Sequence, residues 1–87
     1  MAIYRIQWKP SAVKDLDRLD RGMIPHVVAA VDALASNPFP SDVRKIQGSE
    51  HTYRIRLGDL RVIYRVFKGE LVIEVVRVRH RREVYRR

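Results

Sequence analysis

The stretch from Tyr53 to Tyr64 constrains the fold of this chain more than any other. It reads Tyr53-Arg54-Ile55-Arg56-Leu57-Gly58-Asp59-Leu60-Arg61-Val62-Ile63-Tyr64, with apolar and basic residues alternating on both sides of Gly58-Asp59. Alternation of period two marks a half-buried strand, and Gly-Asp between two such runs suits a two-residue hairpin turn. In that register Leu57 pairs with Leu60, Arg56 with Arg61, Ile55 with Val62, Arg54 with Ile63 and Tyr53 with Tyr64. Successive side chains point to opposite faces. Tyr53, Ile55, Leu57, Leu60, Val62, Tyr64 and Val66 therefore share the face expected to meet a core. Arg54, Arg56, Arg61 and Arg65 share the other, with Ile63 among them.

Arg56 directly opposite Arg61 is an unfavourable pairing of like charges. A solvated polar face is the ordinary explanation for surface charge. Three features favour an anion site instead: the clustering, the exclusive use of arginine, and the lack of acids on this face of the hairpin. Arginine presents a planar fork matched to phosphate, where lysine offers a point charge.

The rest of the chain supplies the layer for the apolar face. Ile3 to Trp8 alternates as a strand, with Tyr4, Ile6 and Trp8 on one side. Pro10 and Ser11 open a helix, as a first-turn proline or a serine cap, with Val13, Leu16 and Leu19 as its apolar stripe and Arg21-Gly22 as its end. A second helix has Pro25 in its first turn, and its stripe is Ile24, Val27, Val28, Val31, Leu34 and Ala35. Asn37-Pro38-Phe39-Pro40 stops it. Val43 to Ile46 suits a short strand. His51 to Leu57 and Leu60 to Phe67 form the hairpin, and Lys68-Gly69 turns into a strand from Leu71 to Val78. The segment from Arg81 to Arg87 reads as a short helix or a frayed tail.

The expected fold is α+β in the order β-α-α-β-β-β, with two helices on one face of a mainly antiparallel sheet. Continuing the alternation through Lys68-Gly69 puts Glu74, Val76, Val78 and His80 on the arginine face, a step that a bulge would reverse. Asp15, Asp17 and Asp20 read as solvated helix charges, and Trp8 and Phe39 as core.

With 87 residues the chain is expected to form a single domain, residues 1–87. Cysteine is absent, which removes disulfides, thiolate zinc sites and thiol nucleophiles. His26 and His51 show no metal-ligand spacing with His80 or the acids, so neither a metal nor a cofactor is expected. No apolar run approaches a membrane span and no signal segment opens the chain, so a cytoplasmic location away from membranes is expected. Eighteen Lys and Arg against ten Asp and Glu give a formal net charge of +8. That balance points to nucleic acid, an acidic protein or an anionic surface as partner.

Several segments together resemble the RelE/ParE superfamily of toxins from bacterial and archaeal toxin–antitoxin pairs. They are Lys9-Pro10-Ser11-Ala12, Ala33-Leu34-Ala35-Ser36-Asn37-Pro38, Val43-Arg44-Lys45-Ile46-Gln47-Gly48, the hairpin, and Arg79-His80-Arg81-Arg82-Glu83-Val84-Tyr85. The resemblance covers nearly the whole chain and is closer to the RelE-like branch. It implies a toxin that cleaves mRNA in the ribosomal A site without metal and is neutralised by a cognate antitoxin. With this many cations on the toxin, the antitoxin is expected to be acidic and to fold on binding. Arg54 and Arg56 fall where the best-known member has lysines. Arg61 resembles the family's arginine on the next strand, Arg81 the arginine after the last strand, and Tyr85 the C-terminal tyrosine. Arg65 and Arg82 are expected to add RNA contacts.

Metal-free cleavage needs a base for the ribose 2′-OH, charge stabilisation at phosphorus, and an acid for the departing 5′-oxygen. Arg61 and Arg81 suit the middle task. Arginine does not give up its proton, so Arg54 and Arg56 are binders rather than bases. Glu50 and His80 are the candidates for the base, with a loop carboxylate and an ordinary strand end as their alternatives. Tyr85 either stacks on a base and orients the 2′-OH or anchors the tail. A ParE-like gyrase inhibitor and a non-catalytic RNA- or ribosome-binding domain remain as other functions.

Overall fold

The computed structural model describes residues 3–80. Its elements are β1 (Arg5–Trp8), α1 (Pro10–Asp17), α2 (Ile24–Leu34), β2 (Arg44–Lys45), β3 (Thr52–Leu57), β4 (Leu60–Phe67) and β5 (Val72–His80). They form one five-stranded sheet in the order β1-β5-β4-β3-β2. Only the β1–β5 pair is parallel. The α+β architecture is the one expected, and the short strand read at Val43 to Ile46 is the two-residue β2.

The hairpin register is as read from the alternation, with Leu57 against Leu60, Arg56 against Arg61 and Tyr53 against Tyr64. Gly58 has φ of 60°, a left-handed conformation that glycine adopts without a Cβ penalty. The inward residues Ile55, Leu60, Val62, Tyr64 and Val66 join Ala12, Val27, Val31 and Leu34 from the helices in one core. Tyr64 is fully buried, and its hydroxyl donates to the Pro38 carbonyl at 2.7 Å. Burial, aided by Tyr53 and Asp42, holds that hydroxyl above the usual tyrosine range, so it remains a donor.

Both helices sit slightly rotated from their expected stripes. α1 buries Ala12 and Asp15 while Val13 is exposed, and Val28 lies at the margin of the α2 stripe. α1 also ends earlier than Arg21-Gly22. Tight bonds from Arg18 N to Asp15 O and from Leu19 N to Leu16 O close it, and Leu19 folds back onto the core.

One irregularity decides which residues reach the outer face. Tyr64 pairs with Val75 but Ile63 pairs with Arg77, so Val76 is an extra residue on β5, a β-bulge. Without it, strict alternation from Ile73 and Val75 would aim Arg77 and Arg79 into the core. Burying unpaired guanidinium groups costs several kcal/mol each, whereas an interrupted ladder forfeits about 1 kcal/mol per hydrogen bond. Burying Val78 in their place adds roughly 1.5–3 kcal/mol. The bulge is thus the cheaper state. It corrects the expected placement of Val78 and His80: Val78 is buried opposite Val62, and His80 lies opposite Leu60 on the helix side. Glu74, before the bulge, keeps its place on the arginine face opposite Arg65.

α1 takes over the edge of β5 where β1 stops. Ser11 does not cap its helix; its hydroxyl donates to the Val76 carbonyl at 2.7 Å. Asp15 accepts from the Val78 N–H at 2.8 Å and from Arg77 through Nε at 2.9 Å and Nη2 at 3.1 Å. At 4% exposure Asp15 is no solvated charge, which corrects the sequence reading. Removing one partner of a buried, bonded pair leaves the other uncompensated. Asp15→Ala should therefore destabilise the fold by about 3–5 kcal/mol in urea unfolding, well beyond the effect of Asp17→Ala on the exposed side.

Candidate anion-binding face

The outer face of the sheet is built in cross-strand rows. Nearest the β3–β4 turn lies Arg56–Arg61–Arg79. The next row is Arg44–Arg54–Ile63–Arg77, and the third is Thr52–Arg65–Glu74–Gln7. A fourth, at the far end, is Phe67–Val72–Arg5. Each row follows from pairing, because directly paired residues share a face.

The arginines are held in different ways. Arg65 meets Glu74 at 3.5 Å and is half exposed, a surface pair of small energetic weight. Arg77 turns around the sheet edge to its bidentate pair with Asp15, so its charge is already matched. Arg56 is exposed. Arg61 is only 3% exposed, and its Nη1 donates to the Leu60 carbonyl at 3.1 Å and the Gly58 carbonyl at 3.4 Å. Its Nε finds no partner among the described residues. A buried guanidinium facing carbonyl dipoles, with a donor unused, is under-compensated. A phosphate would supply a full negative charge and charge-assisted bonds roughly twice as strong as neutral ones. Reaching it requires Arg61 to swing off its own turn.

Sequence reasoning missed Arg79 as a member of this site. Its signal was present: an unbulged β5 would have driven both Arg77 and Arg79 into an apolar core. Two other candidates lie apart from the row. Glu50 is exposed ahead of β3 and six residues before Arg56, about 20 Å along an extended strand. His80 opens instead into a groove of about 370 Å³ with Arg18, Asp20, Met23 and Asp59, across the sheet from the arginines. Arg54 and Arg65 sit in the second and third rows. Arg81, Arg82 and Tyr85, with the expected C-terminal helix or tail, lie outside the described residues.

No helix among the described residues is long and apolar enough to cross a membrane. Residues 6–85 match the family described as the ParE toxin of the type II toxin–antitoxin system parDE. A RelE-like toxin protein of Escherichia coli is 30% identical over 87 residues, covering 94% of this chain and 90% of its own. A protein named for toxin RelE1 in Methanocaldococcus jannaschii is 26% identical, covering 95% and 96%. The crystal structure of the archaeal RelE–RelB complex from Pyrococcus horikoshii contains a chain similar at TM-score 0.80 and 33% identity, covering 91% of this chain and 96% of that one. The chain therefore belongs to the RelE/ParE toxin superfamily of type II toxin–antitoxin systems, and within it is a RelE-like toxin.

Proposed function

We propose that this toxin is an endoribonuclease that cuts mRNA in the ribosomal A site. The observation that carries the reading is the Arg56–Arg61–Arg79 row, three arginines paired side by side across the strands at the end of the sheet. In the reaction the 2′-oxygen loses its proton and bonds to the adjacent phosphorus. The bond from phosphorus to the 5′-oxygen breaks, that oxygen takes up a proton, and a 2′,3′-cyclic phosphate remains. Negative charge grows on the non-bridging oxygens, and cations brought there lower the barrier, Arg61 after leaving its turn carbonyls. Arg61 and Arg79 supply that charge, Arg54 and Arg56 hold the neighbouring backbone, and Arg65 extends the grip.

The row stabilises charge but moves no proton. Beyond residue 80, Arg81 serves as a further phosphate fork, Arg82 as an RNA contact, and Tyr85 as the group that stacks on a base or orients the 2′-OH. Glu50 and His80 remain the proposed proton carriers from this chain, each needing an approach from outside the row. The partner that holds the toxin in check is a cognate antitoxin, an acidic segment that folds on binding. The solved archaeal RelE–RelB complex, which holds a chain similar to this one, supports a protein antitoxin as that partner.

Primer extension on mRNA from cells expressing the toxin tests the reading. Cuts confined to translated regions are the expected result; intact mRNA with DNA-damage signalling would replace it with gyrase inhibition. Arg61→Ala and Arg79→Ala should each lower single-turnover cleavage on programmed ribosomes by about 10²–10³-fold, the scale of losing one oxyanion-stabilising donor. If Glu50→Gln and His80→Gln both cut at the full rate, neither carries the proton. Because Arg56 faces Arg61 across the hairpin, Arg56→Met should stabilise the free protein by roughly 0.2–1 kcal/mol at low salt. Added inorganic phosphate should raise the Tm of the unsubstituted protein more than that of Arg56→Met.

A further inference from the structure

The far end of the arginine face carries an aromatic pair that the cleavage reading leaves unused. Phe67 follows Arg65 in the alternation of β4 and lies opposite Val72, which is buried yet stands outside the main core cluster. Phe67 therefore belongs to the outer face, where it is half-buried. His51 precedes β3, is exposed, and sets its ring against that of Phe67 with centroids 5.6 Å apart and planes inclined by 39°. Arg65 flanks the pair along β4, and Arg5 faces Val72 from β1.

We propose that Phe67 and His51 form a stacking subsite for an unpaired nucleobase of the RNA strand that crosses the arginine rows. This rests on the cleavage reading and extends it to the length and single-stranded character of the substrate. Aromatic faces set in a basic surface are the recurring means of holding single-stranded nucleic acid, because every base offers a π-face while cations track the backbone. The distance is compatible. From Arg61 to Phe67 is six residues of β4, about 20 Å. That is about six nucleotides of a stacked strand at ~3.4 Å each, and fewer of an extended one. A strand anchored by its phosphate at Arg61 and Arg79 passes Arg65 and brings a later base to the aromatic pair.

The test uses the full chain and uncleavable 2′-O-methyl oligoadenylates of two and eight nucleotides, titrated by NMR at low salt. The two-nucleotide probe reaches only the Arg61 end; the eight-nucleotide probe reaches both. Phe67→Leu, which keeps an apolar side chain and removes the π-face, should weaken the longer probe by roughly tenfold and leave the shorter one unchanged. His51→Ala, at an exposed position, should shift the longer probe in the same direction. The proposal is overturned if Phe67→Leu binds the longer probe as tightly as the unsubstituted protein. It is equally overturned if both probes weaken together, as a purely structural role would require, or if the unsubstituted protein gains nothing from the added length. Failure of the cleavage reading has a separate signature: Arg79→Met would leave binding of the two-nucleotide probe unchanged.

Discussion

The bulge at Val76 is the constraint on which the outer face depends. Its origin is a conflict within one strand, where Ile73, Val75 and Val78 need the core and Arg77 and Arg79 cannot enter it. Inserting one unpaired residue satisfies all of them at the loss of regular pairing. The insertion then has to be sealed, because a bulged edge leaves backbone groups without partners. α1 seals it with Ser11 on the Val76 carbonyl and Asp15 on the Val78 N–H. The helix next to the first strand thus holds the last strand in the register that sets Arg79 beside Arg61.

The two ends of the candidate site were unequally legible in the sequence. The hairpin could be read residue by residue, because Gly58-Asp59 fixes the turn and the flanking alternation admits one parity. Beyond Phe67 the sequence Val72-Ile73-Glu74-Val75-Val76-Arg77-Val78 offers apolar residues in both parities. A periodicity count alone cannot place the slip. The conflict becomes visible only when burial of Arg77 and Arg79 is weighed as an energy, which moves His80 to the helix side and Arg79 into the row. Asp15 was illegible for a different reason. Its partners lie in β5 at the other end of the chain, and a helix-surface pattern carries no record of a distant strand edge.

The helices were legible in kind and less so in phase. Pro10 and Pro25 correctly mark the first turns, and Val27, Val31 and Leu34 form the buried stripe of α2. In α1 the hydrophobic pattern favoured Val13, yet the helix turns Ala12 and Asp15 inward. Close approach to the β5 edge selects a small residue and a hydrogen-bond acceptor there, a tertiary demand that hydrophobicity does not encode.

Composition of the row from arginine alone has a consequence for control. A histidine or a buried lysine in such a place would lose its charge somewhere across the physiological pH range, giving acidity a handle on the site. Guanidinium groups as a class keep their charge across that range, so a row built from them has no proton-operated off switch of its own. The field of such a row responds instead to ionic strength, so that screening rather than acidity sets its reach.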